Sequence, residues 1–148
     1  MNRSIPFFLK FMMALVASAM CCAAVKAEAI NVQTVVASEP GKPGAIPADL
    51  ARYKAQLASS AFSKFTNGGA QSVTLSAATP KASAQVGGFS LELSRQGAAK
   101  VDVTVREKTK TGEKTVFGPI TYQFSKEKTK QLELPTTKGA YIVFLTLE

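Results

Sequence analysis

The chain has 148 residues and a formal charge of +8, with 18 Lys and Arg against 10 Asp and Glu, two Cys, and no His or Trp. Without His the usual general base near neutral pH is missing, and Ser-His-Asp and Cys-His nucleophile systems go with it. Acidic residues are scattered, and no Asp-x-Asp-x-Asp-Gly run offers a calcium loop. No metal, no cofactor and no catalytic residues are therefore expected.

Arg3 and Lys10 are the only charges before Phe11 to Val25, an uncharged stretch of fifteen residues. A membrane-spanning helix needs about 20 apolar residues. The shorter stretch suits the apolar centre of an export signal behind a basic start. Val25-Lys26-Ala27 and Ala27-Glu28-Ala29 both place small residues where processing needs them. Residues 1–27 are thus expected to be a signal peptide, cleaved near Ala27 or Ala29, with the mature chain starting near Glu28 or Ile30. Met20 before Cys21, and Cys21 before Cys22, lack the small residue that lipidation requires.

Cys21, Cys22, Met1, Met12, Met13 and Met20 all lie in this segment. The mature chain would have no Cys, so no disulfide, and no transmembrane anchor; packing alone would hold it. A domain of this size buries roughly two-thirds of its unfolded surface, which is sufficient. Arg3, Lys10 and Lys26 leave without any acid, lowering the charge from +8 to +5. The expected location is the periplasm or the extracellular space.

Ile30 to Ala37 is rich in β-branched residues and reads as a strand. Residues 38–47 contain Pro40, Gly41, Pro43, Gly44 and Pro47 and read as a loop or linker. A helix is expected over 48–58, with Asp49 as cap and Leu50, Tyr53 and Leu57 on one stripe that docks on a sheet. Phe62 and Phe65 precede an expected turn at Asn67-Gly68-Gly69, and Gln71 to Ser76 follows as a strand.

Ser83 to Val86 and Phe89 to Leu93 flank Gly87-Gly88, a two-residue hairpin signal whose turn positions favour positive φ. Val101, Val103 and Val105 alternate with Asp102, Thr104 and Arg106, describing a strand packed on one side and wet on the other. Thr115 to Phe124 forms the next strand, and Gly118-Pro119 predicts a bulge or an edge there. Gln131 to Leu134 is short and ends at Pro135. Ala140 to Leu147 is apolar on both faces, which predicts an interior strand covered on both sides. Together these elements predict a mainly β fold: an antiparallel β-sandwich, or small barrel, of seven to nine short strands with one short N-terminal helix. Residues 28–47 would supply a strand and linker, and 48–148 the sandwich domain.

Ser125-Lys126-Glu127-Lys128 matches S-x-x-K, and Lys110-Thr111-Gly112 matches K-T-G. Serine β-lactamases use such elements, but here they run in the wrong order, without S-D-N, in a chain too short for that fold. Basic residues form two groups. Arg106, Lys108, Lys110 and Lys114 surround one turn, and Lys126, Lys128 and Lys130 surround another. They are the candidate anion-binding residues. A ten-residue strand would hold the turns about 30 Å apart at about 3.3 Å per residue. Salt screens charges at that distance, since the Debye length is about 8 Å, and solvated turns are the preferred reading of the lysines.

The Asn31-Val32-Gln33 strand, the Asp49-Leu50…Tyr53…Leu57 helix before Phe62 and Phe65, the Gly87-Gly88 hairpin and the Gly139-to-Leu147 strand together span most of the chain after residue 27. In these features the chain is similar to small exported bacterial β-domain proteins of unknown function. The resemblance implies a bacterial envelope setting and carries over no activity and no functional residues. The expected function is a non-enzymatic sandwich that binds or supports another envelope or extracellular protein. The alternative is a binder of anionic polymers, such as lipopolysaccharide, cell-wall polymer or nucleic acid, through the lysine-rich turns.

Overall fold

The computed structural model describes residues 27–126 and 128–148. The segment expected to be an export signal, residues 1–27, lies outside the described residues except for Ala27, and so does Glu127 of the S-x-x-K match. Eight strands run in chain order: β1 (Glu28–Pro40), β2 (Phe62–Leu75), β3 (Lys81–Val86), β4 (Phe89–Gly97), β5 (Lys100–Thr109), β6 (Gly112–Gln123), β7 (Lys130–Thr136) and β8 (Gly139–Leu147). They form two antiparallel sheets, ordered β2-β1-β8-β7 and β3-β4-β5-β6. The sheets do not close on each other, so the architecture is a sandwich and not a barrel.

Period-two patterning builds the interior between the sheets. Leu91 and Leu93 of β4 and Val101, Val103 and Val105 of β5 are fully buried against Ile30, Val32, Val143 and Leu145 of the facing sheet. Burying each such side chain contributes about 1.5–3 kcal/mol. β8 is an interior strand with both faces covered. Its Val143 and Leu145 enter the sandwich, whereas Ile142 and Phe144 turn to the opposite face.

That second face carries its own core. Val35, Ala37, Phe65, Ile142 and Phe144 receive Leu50, Tyr53 and Leu57, the stripe read from the sequence. Tyr53 stacks on Phe144 with ring centroids 4.2 Å apart and planes 8° from parallel. The helical segment is shorter and tighter than a helix over 48–58. A 3₁₀ helix (Ala48–Tyr53) runs into one α turn, α1 (Lys54–Leu57). Asp49 does not cap it: Pro47 occupies the N-cap without a side-chain hydrogen bond, and Asp49 Oδ2 accepts from Asn67 Nδ2 at 2.9 Å instead. Of the segment 38–47 read as a loop, Ser38 to Pro40 extends β1, and the remainder is a loop held beside the start of β2, where Gly41 N–H donates to Ala61 O and Gly44 N–H to Ser63 O.

Asn67-Gly68-Gly69 is not a turn between two strands. It is a bulge inside one 14-residue strand, β2. Thr34 pairs with Gly69 but Val35 with Asn67, leaving Gly68 as the extra residue. An extra residue reverses which way the odd-numbered side chains point. Val73 therefore faces the other sheet, whereas Phe65 faces the helical segment. Gly69 carries a φ of +101°, a conformation open to glycine and strained for other residues. Buried Gln33 pins the bulge: its Nε2 donates to Asn67 Oδ1 at 2.7 Å, to Gly69 O at 3.0 Å and to Thr34 O at 3.0 Å.

Three smaller differences have local causes. In the Gly87-Gly88 hairpin only Gly87 has positive φ, at 58°, the pattern of a type II′ loop. The Tyr141 ring packs so close to Gly87 that a Cβ there would overlap it. β7 continues past Pro135 to Thr136, because β7 is an edge strand and an edge tolerates a missing N–H. β1 runs from Glu28 to Pro40, beyond the Ile30-to-Ala37 span, because β2 and β8 pair along both of its sides.

Candidate functional site

The two lateral sides of the sandwich differ. On one side β2 and β3 are stitched by a single side chain, Gln71. Its Nε2 donates to Gln85 O at 2.7 Å, and Gln85 N–H donates back to Gln71 Oε1 at 3.4 Å. On the other side β6 and β7 are the edges of their sheets, and no ladder joins them. A groove of about 240 Å³ opens there, walled by Phe89, Val116, Phe117, Leu134 and Pro135. Glu107 and Glu133 also line it.

The groove follows from how β6 leaves the regular ladder. Val101, Val103 and Val105 of β5 stand opposite Tyr122, Ile120 and Phe117 of β6, so this row of β6 points inward. The valines are fully buried. Their β6 partners are not: Phe117 and Tyr122 are half-buried, and Ile120 is 38% exposed. Register slips on both sides of Val105 accommodate Gly118-Pro119 and leave Val116 unpaired at 51% exposure. Among the described residues, Val116 and Ile120 are the large hydrophobic side chains that stand out in water. Phe124, just past β6, is buried and closes the core where the chain crosses to β7.

The lysine-rich turns do not converge. Lys110 sits in the two-residue loop between β5 and β6, while Lys126 and Lys128 lie beyond the far end of β6. The 12 residues of β6 separate them, a span of about 40 Å at about 3.3 Å per residue. Acids accompany the first group. Arg106 Nη2 lies 3.4 Å from Glu92 Oε2, Lys108 stands opposite Glu113, and Lys114 stands opposite Glu107. In the second group, Lys128 closes a short bridge with Ser125, and Lys130 opens β7 half-buried. Lys126 is exposed.

A second, more open cleft of about 430 Å³ lies on the outer face of the β3-β4-β5-β6 sheet. Its lining mixes Lys81 and Arg106 with Glu92 and Glu113, beside Ser83 and Ser90. Such a surface has neither a dominant charge nor an apolar anchor. Tyr122 lies on the inner row of β6, where burial pushes its phenol above the usual value. The phenol therefore stays protonated at neutral pH. Among the described residues no three His, Cys, Asp or Glu side chains gather as metal ligands.

Reading of the sequence missed the groove and found its cause. Gly118-Pro119 announced a break in β6, whereas Pro135, expected to end β7, lies within it and marks it as an edge strand. That both features lie on the same open side depends on the sheet order. Comparisons of the chain with protein-family models, with curated proteins and with solved structures find no match.

Proposed function

We propose that this chain is an exported, non-enzymatic β-sandwich that binds another protein of the bacterial envelope or extracellular space through its open side. The observation that carries the reading is the unclosed β6–β7 groove, lined by the exposed Val116, with Ile120 exposed farther along β6. Apolar surface gains about 25 cal/mol per Å² when a partner covers it, and contiguous exposed apolar surface marks interaction sites. The titratable groups lining the groove are two glutamates, Glu107 and Glu133, which suits recognition more than bond-making.

Export rests on the signal-like segment 1–27, and contacts of residues 28 and 29 choose between its two processing sites. Glu28 Oε1 accepts the Ala99 N–H at 2.8 Å, and Oε2 lies 3.7 Å from Arg95 Nε, an ion pair longer than a hydrogen bond. Ala29 O accepts the Glu148 N–H at 2.9 Å. Cleavage after Ala27 keeps all three contacts, and cleavage after Ala29 would delete them. The reading therefore places the mature terminus at Glu28.

The test is affinity capture from intact envelopes with the processed protein, alongside a Val116→Lys/Ile120→Lys variant. One partner retained by the wild type and lost from the variant supports the reading. Capture of no partner by either protein, or an intact mass that retains residues 1–27, refutes it.

A further inference from the structure

We infer that the β6–β7 groove receives an extended, basic segment of the partner protein, laid beside β7 as a fifth strand of the β2-β1-β8-β7 sheet. This rests on the reading of the chain as a binding module and specifies its site and the chemistry it recognises.

The first argument is coverage. The β2-β1-β8-β7 sheet stops at β7, but the inward row of β6 continues past it with Phe117, Ile120 and Tyr122 incompletely covered. A strand added beside β7 would lie about 4.8 Å from it, over that row. Its inward side chains would occupy the space that leaves Ile120 38% exposed.

The second argument is the hydrogen-bonding template. β7 pairs with β8 on one side only, so its other edge presents free N–H and C=O groups from Lys130 to Leu134. Pro135 then ends the usable ladder. Strand addition draws affinity from such groups and specificity from alternate side chains. β6 suits this less, because two register slips and Pro119 interrupt its edge, devices that discourage edge-to-edge pairing. The same interruptions disfavour a second copy pairing β6 to β6.

The third argument is charge. In a chain of formal charge +8, this groove is lined by Glu107 and Glu133 and by no basic side chain. Neither glutamate has an ion-pair partner within 4.0 Å among the described residues, although Lys114 stands opposite Glu107, so Glu133 carries most of the argument. Glu133 lies between Leu132 and Leu134, whose side chains are buried in the sandwich, so it stands on the opposite face of β7. Lys or Arg directly across from it on an added strand forms a favourable cross-strand pair. The occupant therefore alternates apolar residues, facing the groove, with basic ones.

The test uses the processed protein recovered from its host and two blocked eight-residue peptides, one alternating Val and Lys, the other Val and Glu. Amide NMR is expected to show saturable shifts at 130–134 and 117–122 with the lysine peptide, together with slowed exchange at the outer edge of β7. The glutamate peptide is expected to bind about ten-fold weaker, or about 1.4 kcal/mol, because it loses a cross-strand attraction and gains a repulsion. Glu107→Lys/Glu133→Lys is expected to reverse the preference. Equal binding of both peptides, shifts centred on β2 and β3, or no saturation overturns the inference. Envelope capture with the same double variant separates the two claims. A partner held equally by wild type and variant overturns the groove assignment and leaves the binding role standing. Capture of nothing by the wild type overturns the binding role itself.

Discussion

Replacing Gln33 by Leu removes the amide that holds the β2 bulge while nearly conserving volume. Gln33 is 8% exposed, and its Nε2 has two hydrogens for three acceptors: Asn67 Oδ1, Gly69 O and Thr34 O. Two hydrogen bonds are therefore the physical content of three contacts. At about 0.5–1.5 kcal/mol net each, their loss costs about 1–3 kcal/mol. Asn67 Oδ1 keeps the Gly69 N–H at 2.8 Å, which limits the desolvation penalty. A domain of this length loses about 3–5 °C of Tm per kcal/mol, so Gln33→Leu is expected to melt about 3–15 °C lower by far-UV circular dichroism. Gln33→Glu adds a pH signature. An ionised carboxylate there would face only acceptors, so its folded pKa is expected to rise above the ordinary value of about 4.3. Stability of this variant is then highest below that value and falls as pH rises through the raised folded pKa. Urea titrations at pH 4 and pH 7 measure the difference. A Gln33→Leu protein within about 0.5 kcal/mol of wild type, or a Gln33→Glu deficit unchanged by pH, refutes the pinning role.

N-terminal sequencing of protein from its host is expected to begin at Glu28, and a version starting at Ile30 is expected to be about 1–3 kcal/mol less stable, having lost two hydrogen bonds and a half-buried ion pair. Phe144→Ala removes the ring stacked on Tyr53 and is expected to cost about 3–5 kcal/mol in urea unfolding. Val116→Ala, at 51% exposure, is expected to stay within about 0.5 kcal/mol of wild type. Equal effects would contradict the assignment of one to a core and the other to a groove. On heparin, the separated lysine groups are expected to elute the protein where its overall charge predicts. Late elution that Lys126→Glu, Lys128→Glu and Lys130→Glu together abolish would instead favour anionic-polymer binding.

The main architecture was legible because it rests on local rules. Val101, Val103 and Val105 declare a one-sided strand through alternation, and Ala140 to Leu147 declares an interior one by being apolar on both faces. Gly87-Gly88 marks its hairpin, and Leu50, Tyr53 and Leu57 mark a docking stripe even though the helix is mostly 3₁₀. These features depend on the sterics of a few neighbouring residues. Asn67-Gly68-Gly69 shows the limit. The same three residues suit a turn or a bulge, and only β1 pairing along the whole of β2 makes them a bulge. The groove has the same origin, since Ile120 and Val116 carry no sign of exposure in their own sequence. Their exposure depends on where a sheet made of β1, β2, β7 and β8 runs out. By itself, then, the sequence determined the alternating strands, their faces and the docking stripe, because backbone geometry sets side-chain direction residue by residue. The tertiary structure alone decided which strands are edges and which apolar residues remain uncovered, because pairing joins segments more than a hundred residues apart, as Ile30 meets Leu147.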